Sequence, residues 1–314
     1  MSKTKKQVVV FGATGEIGGR IAKGCVEAGH KVVGISRGTN KRAIPDVAGV
    51  EMLYGDRSDE DFLRKAVLPL GFDTIIDSVP NAHSIARYAR IFPNVENVFI
   101  CSSTGTYVPL QYFPADEEHP WREQTEVNFF NQSQMDMLAL DLWETQKFPI
   151  TIFRPTNIIG PGRIPLDLWG GRDIKFFRTL KVGENISIPP CENVLIQSGS
   201  NSDLAGAFVK ALDVPEAVRG EIFIISCRRA ITLGRYLQTA MEALQSSSSV
   251  QTLGINEIIQ TAPGAQWKGR LEFLLEPMCF DIGKAERIFG YQPQKSTEDG
   301  LREALAWCQS TGVI

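Results

Sequence analysis

The chain has 314 residues, 43% hydrophobic and 22% charged, which is the composition of a globular protein with room for one large core, or a core and a smaller lobe. A net charge of −3 argues against a surface devoted to nucleic acid or anionic membrane, where clustered Lys and Arg are needed. No apolar run approaches a membrane span, and the six cysteines form no Cys-x-x-Cys pair, so reduced thiols and a cytoplasmic location are expected.

Taken in order, Gln7 to Phe11 reads as a strand buried on both faces, followed by Gly12, Gly15 and Gly18 and a helix over Arg20 to Ala28. Lys31 to Ser36 and Val50 to Tyr54 read as strands, and Ser58 to Leu68 as a helix capped by Ser58. Strands then recur at Thr74 to Asp77, Asn97 to Cys101 and Pro149 to Arg154. Between them lie helices at Asn81 to Phe92 and, after a polar excursion, Asn128 to Gln146. This alternation predicts an α/β doubly wound parallel sheet with ligands at the carboxyl ends of its strands. Beyond Arg154 the rhythm loosens. Helices are expected at Asp173 to Leu180, Asp203 to Leu212 (Asp203 capping), Leu233 to Leu244 and Ser296 to Gln309, with a strand at Glu221 to Ser226 returning to the sheet. The boundaries expected are residues 1–158 for the sheet domain, with 194–228 returning to it, and 159–314 for a smaller substrate lobe.

The glycine turn has the chemistry of a dinucleotide phosphate site. Its first glycine permits the turn, the second lets backbone approach a pyrophosphate, and the third lets helix pack on strand. The helix N-terminus adds unpaired N–H groups and partial positive charge. A dinucleotide site usually selects NAD by an acidic residue at the end of the second strand. Here Ser36-Arg37-Gly38 stands there, and a guanidinium suits a 2′-phosphate, so NADP(H) is expected, with NAD(H) as the alternative.

The order of motifs resembles the extended short-chain dehydrogenase/reductase family, the NAD-dependent epimerase/dehydratase group, whose fold is the Rossmann sheet. The resemblance rests on the glycine triplet, Gly55-Asp56, Ser102-Ser103, Arg154-Pro155 with Gly160-Pro161-Gly162, and the Phe289-Gly-Tyr-Gln-Pro tail. It implies that Gly12, Thr14, Gly15, Glu16, Ile17 and Gly18 line the pyrophosphate, and that Asp56 meets the adenine amino group beside Arg57. It further implies that Ser78 and Val79 border a ribose, that Ser102 belongs to the cofactor site, and that Pro155, Asn157 and Ile158 meet the nicotinamide.

The resemblance also implies a Ser or Thr after the fifth strand and a Tyr-x-x-x-Lys on the long helix, the lysine lowering the pKa of the tyrosine so that it passes a proton while hydride moves. Ser103 fills the first place. Aligned on Ser133, the helix puts Phe130 at the tyrosine position and Gln134 at the lysine position, and neither side chain can ionise. No tyrosine occurs between Tyr112 and Tyr236, so the usual relay is absent in any register. Among replacements, His119 has the suitable intrinsic pKa, though a solvated loop histidine is the plainer expectation.

The resemblance implies an oxidoreductase or epimerase with a non-standard active site, acting on a nucleotide sugar or small carbonyl compound near Asn157, Trp169 and Gln197. A homodimer through the long helix is a further expectation, and no metal site is expected. The alternatives are an inactive dinucleotide-binding regulator and a member of the similar chloroplast stem-loop RNA-binding branch, the latter disfavoured by the acidic charge.

Overall fold

The computed structural model describes residues 5–39, 48–121, 132–261 and 268–314. Seven strands form one sheet: β1 (Gln7–Phe11), β2 (Lys31–Ser36), β3 (Val50–Tyr54), β4 (Thr74–Asp77), β5 (Asn97–Cys101), β6 (Ile150–Pro155) and β7 (Ile222–Ile225). Their order is β7-β6-β5-β4-β1-β2-β3, every pair parallel. The expected return strand is therefore the far edge, Ile224 standing opposite Arg154. The winding direction reverses between β1 and β4, and a crevice opens there at the carboxyl ends of the strands.

Side chains of β1 alternate between the two faces, and both faces are covered. Val8 and Val10 pack with α1 (Glu16–Glu27) and α5 (Asn201–Ala211), while Val9 and Phe11 pack with α2 (Ala82–Ile91) and α3 (Gln132–Gln146). Each of these four β1 side chains is at most 1% exposed, worth roughly 1.5–3 kcal/mol of burial apiece. A third apolar cluster forms the smaller lobe, built from α4 (Ile174–Val182), α6 (Leu233–Leu244) and α8 (Thr297–Ser310). The short parallel pairing of Asn157–Ile159 with Ser198–Ser200 carries the chain from sheet to lobe.

One helix start and two caps are corrected. The first helix begins at Glu16, immediately after Gly15, because Gly19 N–H already donates to Gly15. The 58–68 helix is capped by Asp59, which accepts from Phe62, while Ser58 instead donates to Asp56. In α5 the cap is Ser200; the Asp203 carboxylate accepts from Gln294 and Lys295, tying α5 to the C-terminal segment. Gly290 ends α7 (Gly283–Phe289) in the left-handed region, and Ser296 caps α8.

Candidate functional site

Two clefts lie along the carboxyl edge of the sheet. The first, of about 690 Å³, is lined by Gly12, Thr14, Gly15, Ser36, Arg37, Asp56, Arg57 and Val79. Gly12 holds φ +78°, and a Cβ there would sit 2.5 Å from Ser78 Oγ. A Cβ on Gly18 would fall 2.3 Å from Gly12 O, inside any real contact. The first turn of α1 is thereby drawn against β1, and Gly15 offers no side-chain cap to its N–H groups. Backbone donors with no side chain over them are what a dinucleotide phosphate requires, so the residues fit that group.

Around this turn Thr14 Oγ1 meets Ser36 Oγ at 2.8 Å, and Arg37 projects exposed at the rim. Asp56 accepts both the N–H and the hydroxyl of Ser58 on one oxygen, at 2.8 and 2.7 Å, and these bonds hold its carboxyl below the usual range. It serves its own turn while lining the cleft. Arg57 is paired at 3.0 Å with Asp77, a fully buried carboxylate whose pKa burial pushes up against the opposing arginine. Ser78 donates to Phe11 O behind the turn, and Ile17 and Gly18 are buried, so Ile17 and Ser78 face away from the cleft. Asn81, His83 and Arg87 also line it; the sequence reading missed them because they fall at the cap and within the first turns of a helix with no motif.

The second cleft, about 550 Å³, lies between the sheet and the smaller lobe. Ser102, Ser103, Thr104, Pro155, Asn157 and Ile158 line one wall, and Arg163, Arg172, Leu195 and Leu233 face them. Residues 270–278 complete the cleft with Arg270, Phe273, Leu274, Glu276 and Met278; this wall was illegible in the sequence, because it joins the site only through the folding of the lobe. Arg172 donates to Asn157 Oδ1 and to the carbonyls of Ile158 and Ile164, and burial lowers its pKa to about 10. Ser103 Oγ accepts from Gly105 N–H at 3.0 Å.

Beneath the cleft floor, Ser102 donates to Asp136, which also accepts from Nε of the fully buried Arg154 at 2.9 Å and is ion-paired with its Nη2 at 2.8 Å. The guanidinium lies over the rings of Tyr107 and Trp121, at 4.5 and 3.9 Å from their centroids. Burial pushes the Asp136 carboxyl up, with Arg154 opposing. This cluster sets the rotation of α3. Asp136 faces inward, so the residue four earlier, Gln132, faces the same way and lines the cleft.

The register of the long helix is accordingly corrected. Gln134 is exposed and lines neither cleft; Gln132 lines the second cleft together with Ser103, and its Oε1 is buried without a hydrogen-bond partner among the described residues. Alignment on Ser133 misled because that serine is buried, 3.5 Å from Trp121 O. Phe130 lies outside the described residues. His119 is no solvated loop residue either. It is 1% exposed, Nε2 accepting from Gln111 N–H and Nδ1 lying 2.8 Å from Pro120 O, so both ring nitrogens are engaged with backbone. Trp169 and Gln197 are buried and bonded to backbone, Trp169 to Ser187 O and Gln197 to Cys227 and Phe280. Among the described residues no helix is long and apolar enough to cross a membrane, and no cluster of His, Cys, Asp and Glu could hold a metal ion.

A doubly wound sheet, a glycine turn at its switch point and a second cleft roofed by a C-terminal lobe define a dinucleotide-binding fold of the epimerase and dehydratase type. The chain belongs to the NAD-dependent epimerase/dehydratase family, whose model matches residues 8–226. It is 25% identical over 319 aligned positions to the chloroplast stem-loop binding protein of 41 kDa b from Arabidopsis thaliana, covering 96% of this chain and 79% of that one. Its fold is similar to that of dTDP-glucose 4,6-dehydratase from Bacillus anthracis, solved in complex with NAD, with TM-score 0.76, 15% identity and 98% of each chain covered. UDP-glucose 4-epimerase from Thermotoga maritima, solved with UDP-glucose, is similar with TM-score 0.74 and 15% identity over 97% of this chain and 99% of that one.

Proposed function

We propose that the protein binds NADP(H) in the first cleft and a sugar nucleotide or small carbonyl compound in the second, and that any turnover proceeds without the Tyr-x-x-x-Lys relay. The observation that carries the reading is the position of Arg37. At the end of β2, where an acidic side chain would bond a ribose 2′-hydroxyl, a guanidinium stands at the rim of a cleft built on the glycine turn. Bound there, the dinucleotide would supply or accept hydride; the chain's own part is to hold it by backbone N–H groups and to close the second cleft over the reacting partner.

Arg37→Ala is expected to weaken NADPH about tenfold or more while changing NADH less than about threefold, as loss of one charge-assisted phosphate contact requires. Titration of both cofactors with both proteins checks it, and equal losses would refute the 2′-phosphate role.

Gln132 presents an amide oxygen where a ligand hydroxyl could donate. Its replacement by Ala is expected to weaken cofactor or substrate about threefold or more, whereas Gln134→Ala should alter stability by less than about 0.5 kcal/mol and affinity not at all. A larger effect at 134 than at 132 in the same titrations would overturn this register. The stem-loop binding relative raises RNA as a ligand, but a chain of net charge −3 supplies no general excess of phosphate-neutralising charge, so the reading stays with the dinucleotide.

A further inference from the structure

Between the two clefts, loop 160–163 is fastened onto the first turn of α1. Glu16, the first residue of that helix, holds Asn201 Nδ2 on one carboxylate oxygen at 2.8 Å and Arg163 Nη1 on the other at 3.3 Å. Arg20 donates to the carbonyls of Glu16 and Pro161, each at 2.8 Å, and Asn201 Nδ2 also reaches Pro161 O at 2.9 Å. Arg20 is thus committed to carbonyls. Arg163 differs: its side chain is 38% exposed, it is ion-paired with Glu16, and it lines the second cleft.

The placement of Glu16 raises an electrostatic conflict. A carboxylate at the first helical position is favoured by the unpaired N–H groups and the helix dipole. A pyrophosphate docking on the same helix start would meet that carboxylate as a like charge only a few ångströms away. Some cation must offset it. Resting on the proposed dinucleotide reading, we propose that Arg163 is the residue that makes the site electrostatically acceptable to a pyrophosphate. Glu16 holds the guanidinium over the helix start, and an incoming diphosphate shares or takes it. The loop that roofs the second cleft thereby contributes a charge to the first, so that occupation of one cleft settles the wall of the other.

Binding of NADPH and of adenosine 2′-monophosphate, which reaches Arg37 but has no pyrophosphate, tests the proposal by calorimetry on wild type, Arg163→Gln, Arg163→Lys, Glu16→Gln and the Glu16→Gln/Arg163→Gln double variant. Arg163→Gln is expected to weaken NADPH about tenfold, the double variant to recover most of that loss, and Arg163→Lys to stay within about threefold of wild type. Adenosine 2′-monophosphate should bind all five proteins alike. NADPH binding unchanged in Arg163→Gln, no recovery in the double variant, or equal weakening of adenosine 2′-monophosphate would each overturn it. If wild type binds no dinucleotide, the reading of the first cleft fails and this inference with it. That failure is distinct from variant effects that do not appear in a protein that does bind.

Discussion

Asp136→Ala is expected to cost about 3–5 kcal/mol of folding stability, because it leaves the Arg154 guanidinium buried with no carboxylate opposite. Arg154 is completely buried, and its Nε and Nη2 converge on one oxygen of Asp136. The aromatic faces of Tyr107 and Trp121 contribute to holding the cation but cannot replace a hydrogen-bonded anion. The complementary double replacement, Asp136→Leu with Arg154→Met, removes both charges and should restore most of the loss, since well-packed apolar pairs substitute for buried ion pairs at little net cost. Urea unfolding at constant m-value measures both. A loss below about 1 kcal/mol in Asp136→Ala would mean that water or rearrangement satisfies the arginine. Ser102 donates to the same carboxylate, so the single variant should also disturb the cleft wall at Ser102 and Ser103.

Gly18→Ala should abolish most dinucleotide binding, by about 2–3 kcal/mol or roughly 30- to 150-fold, for NADPH and NADH alike. The added Cβ would lie 2.3 Å from Gly12 O and 2.7 Å from Gly12 C, and both are backbone atoms of the glycine turn. Because these atoms cannot rotate aside, helix and turn must separate, with about 1–3 kcal/mol of overpacking cost in the fold. Calorimetric titration and thermal melting report the two losses separately. Binding retained within about threefold would show that the turn tolerates the shift and does not carry the phosphate. The contrast with Arg37→Ala is diagnostic, since that change should divide the two cofactors and this one should not.

Much of the sheet was legible because its signal is local. Runs such as Val8-Val9-Val10 and Ile75-Ile76 between turn signals read as strands buried on both faces, and glycines at intervals of three after such a strand mark the turn. Caps were less legible. Ser58 and Asp203 have the right chemistry for a cap, yet neighbouring Asp59 and Ser200 take that place. Several acceptors one to three residues apart compete, and the winner depends on where the chain arrives from.

The catalytic region divides the same way. By itself the amino-acid sequence determined the doubly wound class, the glycine turn, the basic end of β2 and the lack of any tyrosine between Tyr112 and Tyr236. Only the tertiary structure decided which face of α3 looks into the cleft, because that rotation is set by Asp136 gripping Ser102 and Arg154, residues 34 and 18 positions away in sequence. It likewise decided that His119 is sealed, that Trp169 and Gln197 brace the lobe, and that Arg163 comes to rest on Glu16 across 147 residues. Backbone preferences and hydrophobic period are properties of neighbouring residues, whereas the pairing of buried charges is settled only when distant segments meet and each ion must find its partner.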